Sequence, residues 1–325
     1  SGLEYYFNYH LNGKPGTLIL ESDAQGKSMY SYNQKIVPAK NGKKLQLTID
    51  HHIQFMMENQ LQKSVDSLQA EGGLAILMDI HSGEILGMAN YPFFDPNRYY
   101  DYKDTAIFKN NAIQMAFEPG SVMKLFTIAS AVEEHLVKMN DKIFIPEKMM
   151  LGGWLIEEAH GGESGEKKIE DILIKSINVG AAMVGLKLGS EKLYHYLSLL
   201  EFGRKTGIEL AGESSGIVNP YSAWREIDLS RISFGYTISV TPLQLLKAVS
   251  VFGNEGQMVE PYIVKHDRPR HRRHKKVYSP STVRDVMKVM RKTVDEGTGE
   301  LTKIPYFTVG GKTGTARRFS QEAHG

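Results

Sequence analysis

The stretch Glu118–Phe126, EPGSVMKLF, decides how the chain is read. Pro119 and Gly120 give a turn signal, and Ser121 follows them at a helix start. Val122, Met123, Leu125, Phe126, Ile128, Ala129, Ala131 and Val132 are apolar on nearly every face. Such a helix belongs in a core. Lys124 is the only charge between Ser121 and Val132, and an unpaired ammonium in a core is costly. A serine hydroxyl is a poor nucleophile until a base takes its proton. A lysine whose pKa is lowered by burial or by a second cation can be that base. Residues three apart share a helix face, and a helix N-terminus favours the negative charge that develops on the serine. Ser121 and Lys124 therefore read as a nucleophile with its base.

The rest of the composition narrows the setting. The 325 residues suffice for one large domain and a small one. Hydrophobic residues make up 41% and charged residues 23%, as in ordinary globular chains. A formal charge of +2 argues against a dedicated nucleic-acid binder. The absence of cysteine removes disulfides, thiolate catalysis and Cys-ligated zinc. No histidine shows a metal-ligand spacing. His81 and His160 read as surface residues, with contact to a substrate left open for His160. No apolar run approaches a membrane span, and no signal peptide of the usual form is present. Both ends read as cut.

Residues 1–44 read as a small accessory segment and 45–325 as the main domain. KLQLTID alternates like a strand, and Asp50 is placed to cap a helix from His51 to Ala70. GLAILMDIHSGEILGMANYP reads as a hairpin. From Lys138 to Glu170 the pattern is irregular and Gly-rich. Helical patterns cover 169–175, 179–188, 191–200, 241–252 and 279–296. PYIVKH and KKVYS read as edge strands around the basic run 265–276, taken as a solvated tip. YFTVGGKTGTARRF is expected to close the chain as a strand. The order predicts an α/β fold of the α+β type: an antiparallel sheet of about five strands flanked by helices, with an all-helical lobe.

The bare pattern S-x-x-K carries little weight, because Ser164–Lys167 matches it too, in a Gly- and Glu-rich loop. Its companions in serine acyl-transfer enzymes are Ser-x-Asn and Lys-Thr-Gly. Ser176–Asn178 lies at the junction of two helical patterns, and Ser31–Asn33 is its decoy in the accessory segment. Lys312-Thr313-Gly314-Thr315 follows a strand pattern, and Lys205-Thr-Gly207 is its decoy in a turn. Local structure selects Ser121/Lys124, Ser176/Asn178 and Lys312–Thr315, in that order. Ser176 and Asn178 can relay a proton and hold a substrate amide. Lys312 supplies positive charge, and Thr313 and Thr315 offer hydroxyls to a carboxylate. Gly314 leaves room where substrate lies along the strand. The N–H groups of Ser121 and Thr315 are the expected oxyanion hole.

With these residues in view, the chain resembles the transpeptidase domain of class B penicillin-binding proteins. FEPGSVMKLFTIASA, KSINVGAAMVGLKLG, SFGYTISVTPLQLLKAVSVFGNEG and VGGKTGTA carry the resemblance, over about Leu45–Ala316. EPGS and ISVTPLQL resemble the division (septal) type. GLEYYFNYHLNGKPG is similar to the end of that family's N-terminal module. The resemblance implies a serine acylated by the penultimate D-Ala of a peptidoglycan stem peptide, cross-linking by a second stem's amine, and acylation by β-lactams. It implies no cofactor and no metal. It also implies an N-terminal membrane anchor, a catalytic domain facing the periplasm or wall, division-complex membrane partners, and further C-terminal strands beyond this chain. The Gly-Gln-Gly usual in the SFGYTIS segment is absent here. Two readings stand beside it. One is a same-fold hydrolase, a β-lactamase or D,D-carboxypeptidase, with Glu209 or Glu213 as a second base. The other is a non-catalytic β-lactam sensor or scaffold.

Overall fold

The computed structural model describes residues 2–315 except 23, 26, 30–34, 159–160, 163 and 266–274. The first 44 residues hold two short helices, α1 (Gly2–Tyr6) and α2 (Asn8–Leu11), and small antiparallel pairs. These pairs join β1 (Thr17–Ile19) to β4 (Lys35–Val37), and β2 (Glu21–Ser22) to β3 (Ser28–Met29). Residues of β1 and β4 are exposed.

The first helix after residue 44 is α3 (His51–Leu68), capped as its sequence predicts: the Asp50 carboxylate accepts from the amides of His52 and Ile53 at 2.9 and 3.0 Å. α3 lies on a hairpin of β5 (Gly73–Met78) and β6 (Ile85–Tyr91). The chain returns to this hairpin at Tyr262, which bridges to Glu84 just before β6, and Val264, two residues on, bridges to Leu47. A short helix, α4 (Asn111–Gln114), leads to a 3-10 turn at Gly120–Val122 and then α5 (Met123–Glu133).

α5 is the axis of the domain, and every residue from Met123 to Val132 is buried. The segment expected to be irregular forms two antiparallel pairs. β7 (Lys142–Ile145) pairs with β10 (Gly165–Lys168), and β8 (Lys148–Leu151) pairs with β9 (Trp154–Glu157). Gly152 and Gly153, at φ 55° and 82°, make the tight turn between β8 and β9. The pairing of β7 with β10 is long-range, and no local period announces it.

Helices α6 (Ile169–Ile174), α7 (Asn178–Leu188) and α8 (Ser190–Leu199) follow and pack against α5. α9 (Glu226–Ile232) sits on α7, and α10 (Pro242–Gly253) reaches back to α4. A small pair, β11 (Gln257–Met258) with β12 (Lys275–Lys276), precedes α11 (Pro280–Glu296), which packs on α5, α6 and α10. Aromatic rings bind these helices together. Phe126 stacks on Phe252 at 5.9 Å between ring centres, and Tyr278 stacks on both Phe252 and Tyr196.

The fold is mixed α/β with antiparallel strands, the class expected. Among the described residues the strands pair two by two instead of forming one sheet of five. Phe307–Thr315 is not a strand. A ladder needs a partner backbone beside it. This segment lies along α11 instead, where the Gly311 amide donates to the Met290 carbonyl at 3.1 Å. Most of the basic run, 266–274, lies outside the described residues, as do His160, Ser31 and Asn33. No helix among the described residues is long and apolar enough to cross a membrane.

Candidate active site

Ser121 is delivered by a junction of three backbones. The Gly120 amide donates to the Gly235 carbonyl at 3.0 Å. Gly120 and Gly235 both have positive φ, 54° and 95°. A Cβ on Gly235 would lie 1.9 Å from the Gly120 oxygen, and one on Gly120 would lie 2.5 Å from the Thr315 oxygen. Only glycine allows so close an approach at such angles. Nearby, Glu118 Oε1 accepts from the Thr237 amide at 2.9 Å, and Phe117 bridges to Val240. The EPGS turn is thus locked to the SFGYT segment.

Lys124 is fully buried. Its Nζ donates to Asn178 Oδ1 at 2.7 Å, to the Ser176 carbonyl at 2.5 Å and to Ser176 Oγ at 3.3 Å. Ser176 adopts φ 60°, a region rare for a residue with a side chain. Its carbonyl and its hydroxyl both reach the amine. Lys312 Nζ donates to the same Ser176 Oγ at 2.9 Å and to the Thr313 carbonyl at 2.9 Å. Burial, then the Lys312 charge, push the Lys124 ammonium down to about 7, against an opposing pull from the Glu158 carboxylate. Burial pushes Lys312 down to about 8. The order matters: near neutrality Lys124 is the easier of the two to deprotonate. Among the described residues no hydrogen bond joins Lys124 Nζ to Ser121 Oγ. Such contacts commonly tighten only when substrate binds.

The N-terminus of α7, which carries Asn178, is held by the end of β9. Glu158 Oε2 accepts from the Asn178 amide at 2.7 Å, and its Oε1 accepts from the Val179 amide at 2.9 Å. Asn178 Nδ2 donates to the Glu157 carbonyl at 3.1 Å.

These groups border a cleft of about 470 Å³ lined by Ser121, Ser176, Asn178, Thr313 and Thr315, with Glu158, Tyr236 and Thr298. Thr313 Oγ1 donates to Thr298 Oγ1 at 2.8 Å. Gly314 has a packing reason of its own, because a Cβ there would lie 2.8 Å from Val122 Cγ2. The three motifs selected from sequence therefore meet in one place.

Of the decoys, Lys167 borders the cleft, but Ser164 and the turn at Lys205–Gly207 do not. Lys167 lies in β10, where a serine three residues earlier does not share its face. Thr206 and Gly207 are tied to the Glu213 carboxylate, whose oxygens accept from both amides and from the Thr206 hydroxyl. Glu209 Oε2 accepts from the Ile263 amide at 3.1 Å. Neither glutamate lines the cleft. His81 Nδ1 contacts Asn254 Oδ1 at 3.1 Å, and the described residues hold no cluster suited to a metal ion.

Sequence reasoning missed Glu158, Gly235, Tyr236 and Thr298 as members of the site. The Gly152-Gly153 pair was the available signal for β8 and β9, and through them for Glu158. Thr298 sits in VDEGTG, at the turn that follows α11.

Comparison with known proteins points to one family. Residues 73–325 match the penicillin binding protein transpeptidase domain. The chain is similar to Stage V sporulation protein D of Bacillus subtilis, with 33% identity over 98% of this chain and 51% of that protein. It is 30% identical to the peptidoglycan D,D-transpeptidase FtsI of Buchnera aphidicola, over 98% of this chain and 55% of that one. It thus spans about half the length of these curated relatives. Among solved structures, penicillin binding protein 3 of Mycobacterium tuberculosis complexed with ampicillin superposes with a TM-score of 0.83. That match has 27% identity and covers 93% of this chain and 73% of the other. With three motifs assembled in one cleft and a match across most of its length, the chain belongs to the penicillin-binding-protein transpeptidase family.

Proposed function

We propose that the protein is a serine-type peptidoglycan D,D-transpeptidase acting in division-type wall synthesis, and that β-lactams acylate it. The observation that carries this reading is the shared Ser176 hydroxyl, which accepts from Lys312 and faces Lys124 beside Ser121. Lys124 in its neutral form takes the Ser121 proton as the hydroxyl attacks the carbonyl of the penultimate D-Ala. Lys312 donates to Ser176 Oγ, so the Ser176 proton is free to point elsewhere: to Lys124, or to the departing D-Ala amine. The Ser121 and Thr315 amides take the developing oxyanion. Thr313 and Thr315 hold the terminal carboxylate, and Asn178 orients the substrate amide. An amine from a second stem then displaces Ser121 and forms the cross-link. The chemistry uses only side chains and backbone, and no cofactor is needed in it.

The hydrolase alternative loses support, because Glu209 and Glu213 are occupied with backbone amides away from the cleft. In the same reading, residues 1–44 end an accessory module. The parent protein is anchored in the bacterial cytoplasmic membrane, with this domain on the wall side among division-complex proteins. The deciding experiment is labelling with a fluorescent penicillin. Wild type takes the label and Ser121→Ala does not; equal labelling of the two removes Ser121 as nucleophile.

A further inference from the structure

Asn178 has more holding it than its motif explains. Ile177, at the N-cap of α7, makes no side-chain cap. The first amides of a helix have no partner within it, and here two of them are met by a carboxylate 20 and 21 positions away, that of Glu158. The neighbouring Glu157 carbonyl can only accept, so it fixes Nδ2 toward β9 and turns Oδ1 toward the Lys124 amine. We propose that Glu158 is a positioning residue for the transfer reaction, holding Asn178 so that its side-chain oxygen stays on the Lys124 amine; this rests on the reading of Ser121 and Lys124 given above.

Glu158 is badly placed to be a base. Each of its oxygens already faces a backbone N–H at the start of α7 rather than the Ser121 hydroxyl. Its charge has a second effect. The groups acting on Lys124 are the Lys312 ammonium, which disfavours its protonated form, and Glu158, which favours it. Lys167, Lys175 and Glu147 also line the cleft, and Glu157 pairs with Lys148 at 3.5 Å.

The test is the rate of acylation by benzylpenicillin, followed by intact mass across the neutral pH range, in Glu158→Gln and Glu158→Asp. Glutamine loses the charge and one acceptor. The maximal rate is expected to fall about tenfold. The acidic limb is expected to move to lower pH by about half a unit, because the ammonium has lost its anion. Aspartate keeps the charge but is too short to reach both amides, so the rate falls and the limb stays. A folded Glu158→Gln protein with the wild-type rate overturns the proposal. In the glutamine variant a lowered rate with an unmoved limb also overturns it, because there the anion beside the Lys124 ammonium has been removed. If the glutamine variant does not fold, the aspartate variant decides alone, and a wild-type rate in it is fatal. Wild type serves as the control. If it takes no penicillin, the reading of Ser121 fails first and is recognised as the cause.

Discussion

Lys124 and Lys312 donate to one hydroxyl, that of Ser176, at 3.3 and 2.9 Å. Two ammonium groups on a single oxygen repel each other, and burial leaves little water to screen them. The proton is therefore lost first from the more deeply buried amine, Lys124.

This gives a pH prediction. With Lys124 pushed down to about 7, the rate of penicillin acylation should have its acidic limb near that pH. Above the limb the amine is neutral and can accept the serine proton. Lys312→Gln removes the repelling cation, so the Lys124 pKa rises and the limb moves to higher pH. A pH–rate profile of the two proteins checks it; superimposable limbs would show that the lysines are not coupled.

Stability should respond in the opposite sense to activity at the same position. In the unfolded chain Lys124 titrates near its ordinary value of 10.5, and in the folded protein near 7. Between these values the unfolded state binds more protons, so folding stability gains from this residue as pH rises. Lys124→Met removes that dependence. The variant should be inactive toward penicillin yet melt above wild type at neutral pH, and the gap should narrow toward pH 10. Melting curves in paired buffers measure it, and a gap that widens with pH would contradict the sign.

Gly235 should be as sensitive as any residue with a reacting side chain. Gly235→Ala places a methyl 1.9 Å from the Gly120 oxygen at φ 95°. The cost should exceed about 2 kcal/mol of stability. Acylation should fall in the protein that still folds, because Ser121 shifts with Gly120. Denaturant unfolding and penicillin labelling report the two effects. A variant indistinguishable from wild type would mean that the junction is loose.

Glu213 separates the transpeptidase from the hydrolase alternative. Its carboxylate closes the turn at Thr206 and Gly207. Glu213→Ala should cost about 2–4 kcal/mol, since buried amides lose their acceptor. The lifetime of the penicillin adduct should stay as in wild type, lasting hours. Slower loss of the adduct in the variant would instead identify Glu213 as a water-activating base.

Much of the site was legible because its motifs are local. Ser121 and Lys124 are three residues apart, Ser176 and Asn178 two, and Lys312 to Thr315 is one short run. Each announces itself by what surrounds it: an apolar helix, a helix junction, a Gly-rich segment. Helix boundaries were legible for the same reason, as at Asp50. What stayed hidden depends on distant partners. Glu158 counts only because β9 ends over α7, and Gly235 only because its carbonyl meets the Gly120 amide. The strand expected at Phe307–Thr315 shows the converse. Its pattern is right for a strand, but pattern alone supplies no neighbouring backbone.

The Ser176 hydroxyl also ties catalysis to the history of the chain. It joins Lys124, 52 positions before it, to Lys312, 136 positions after it. Contacts that distant form late, after the intervening loops have closed. A ribosome-bound chain that has not yet emitted Lys312 holds Ser121 without its full set of donors. Reactivity toward penicillin is then a marker that the chain has been made and folded through Lys312, and a pulse of labelled drug would time the docking of Lys312 on Ser176.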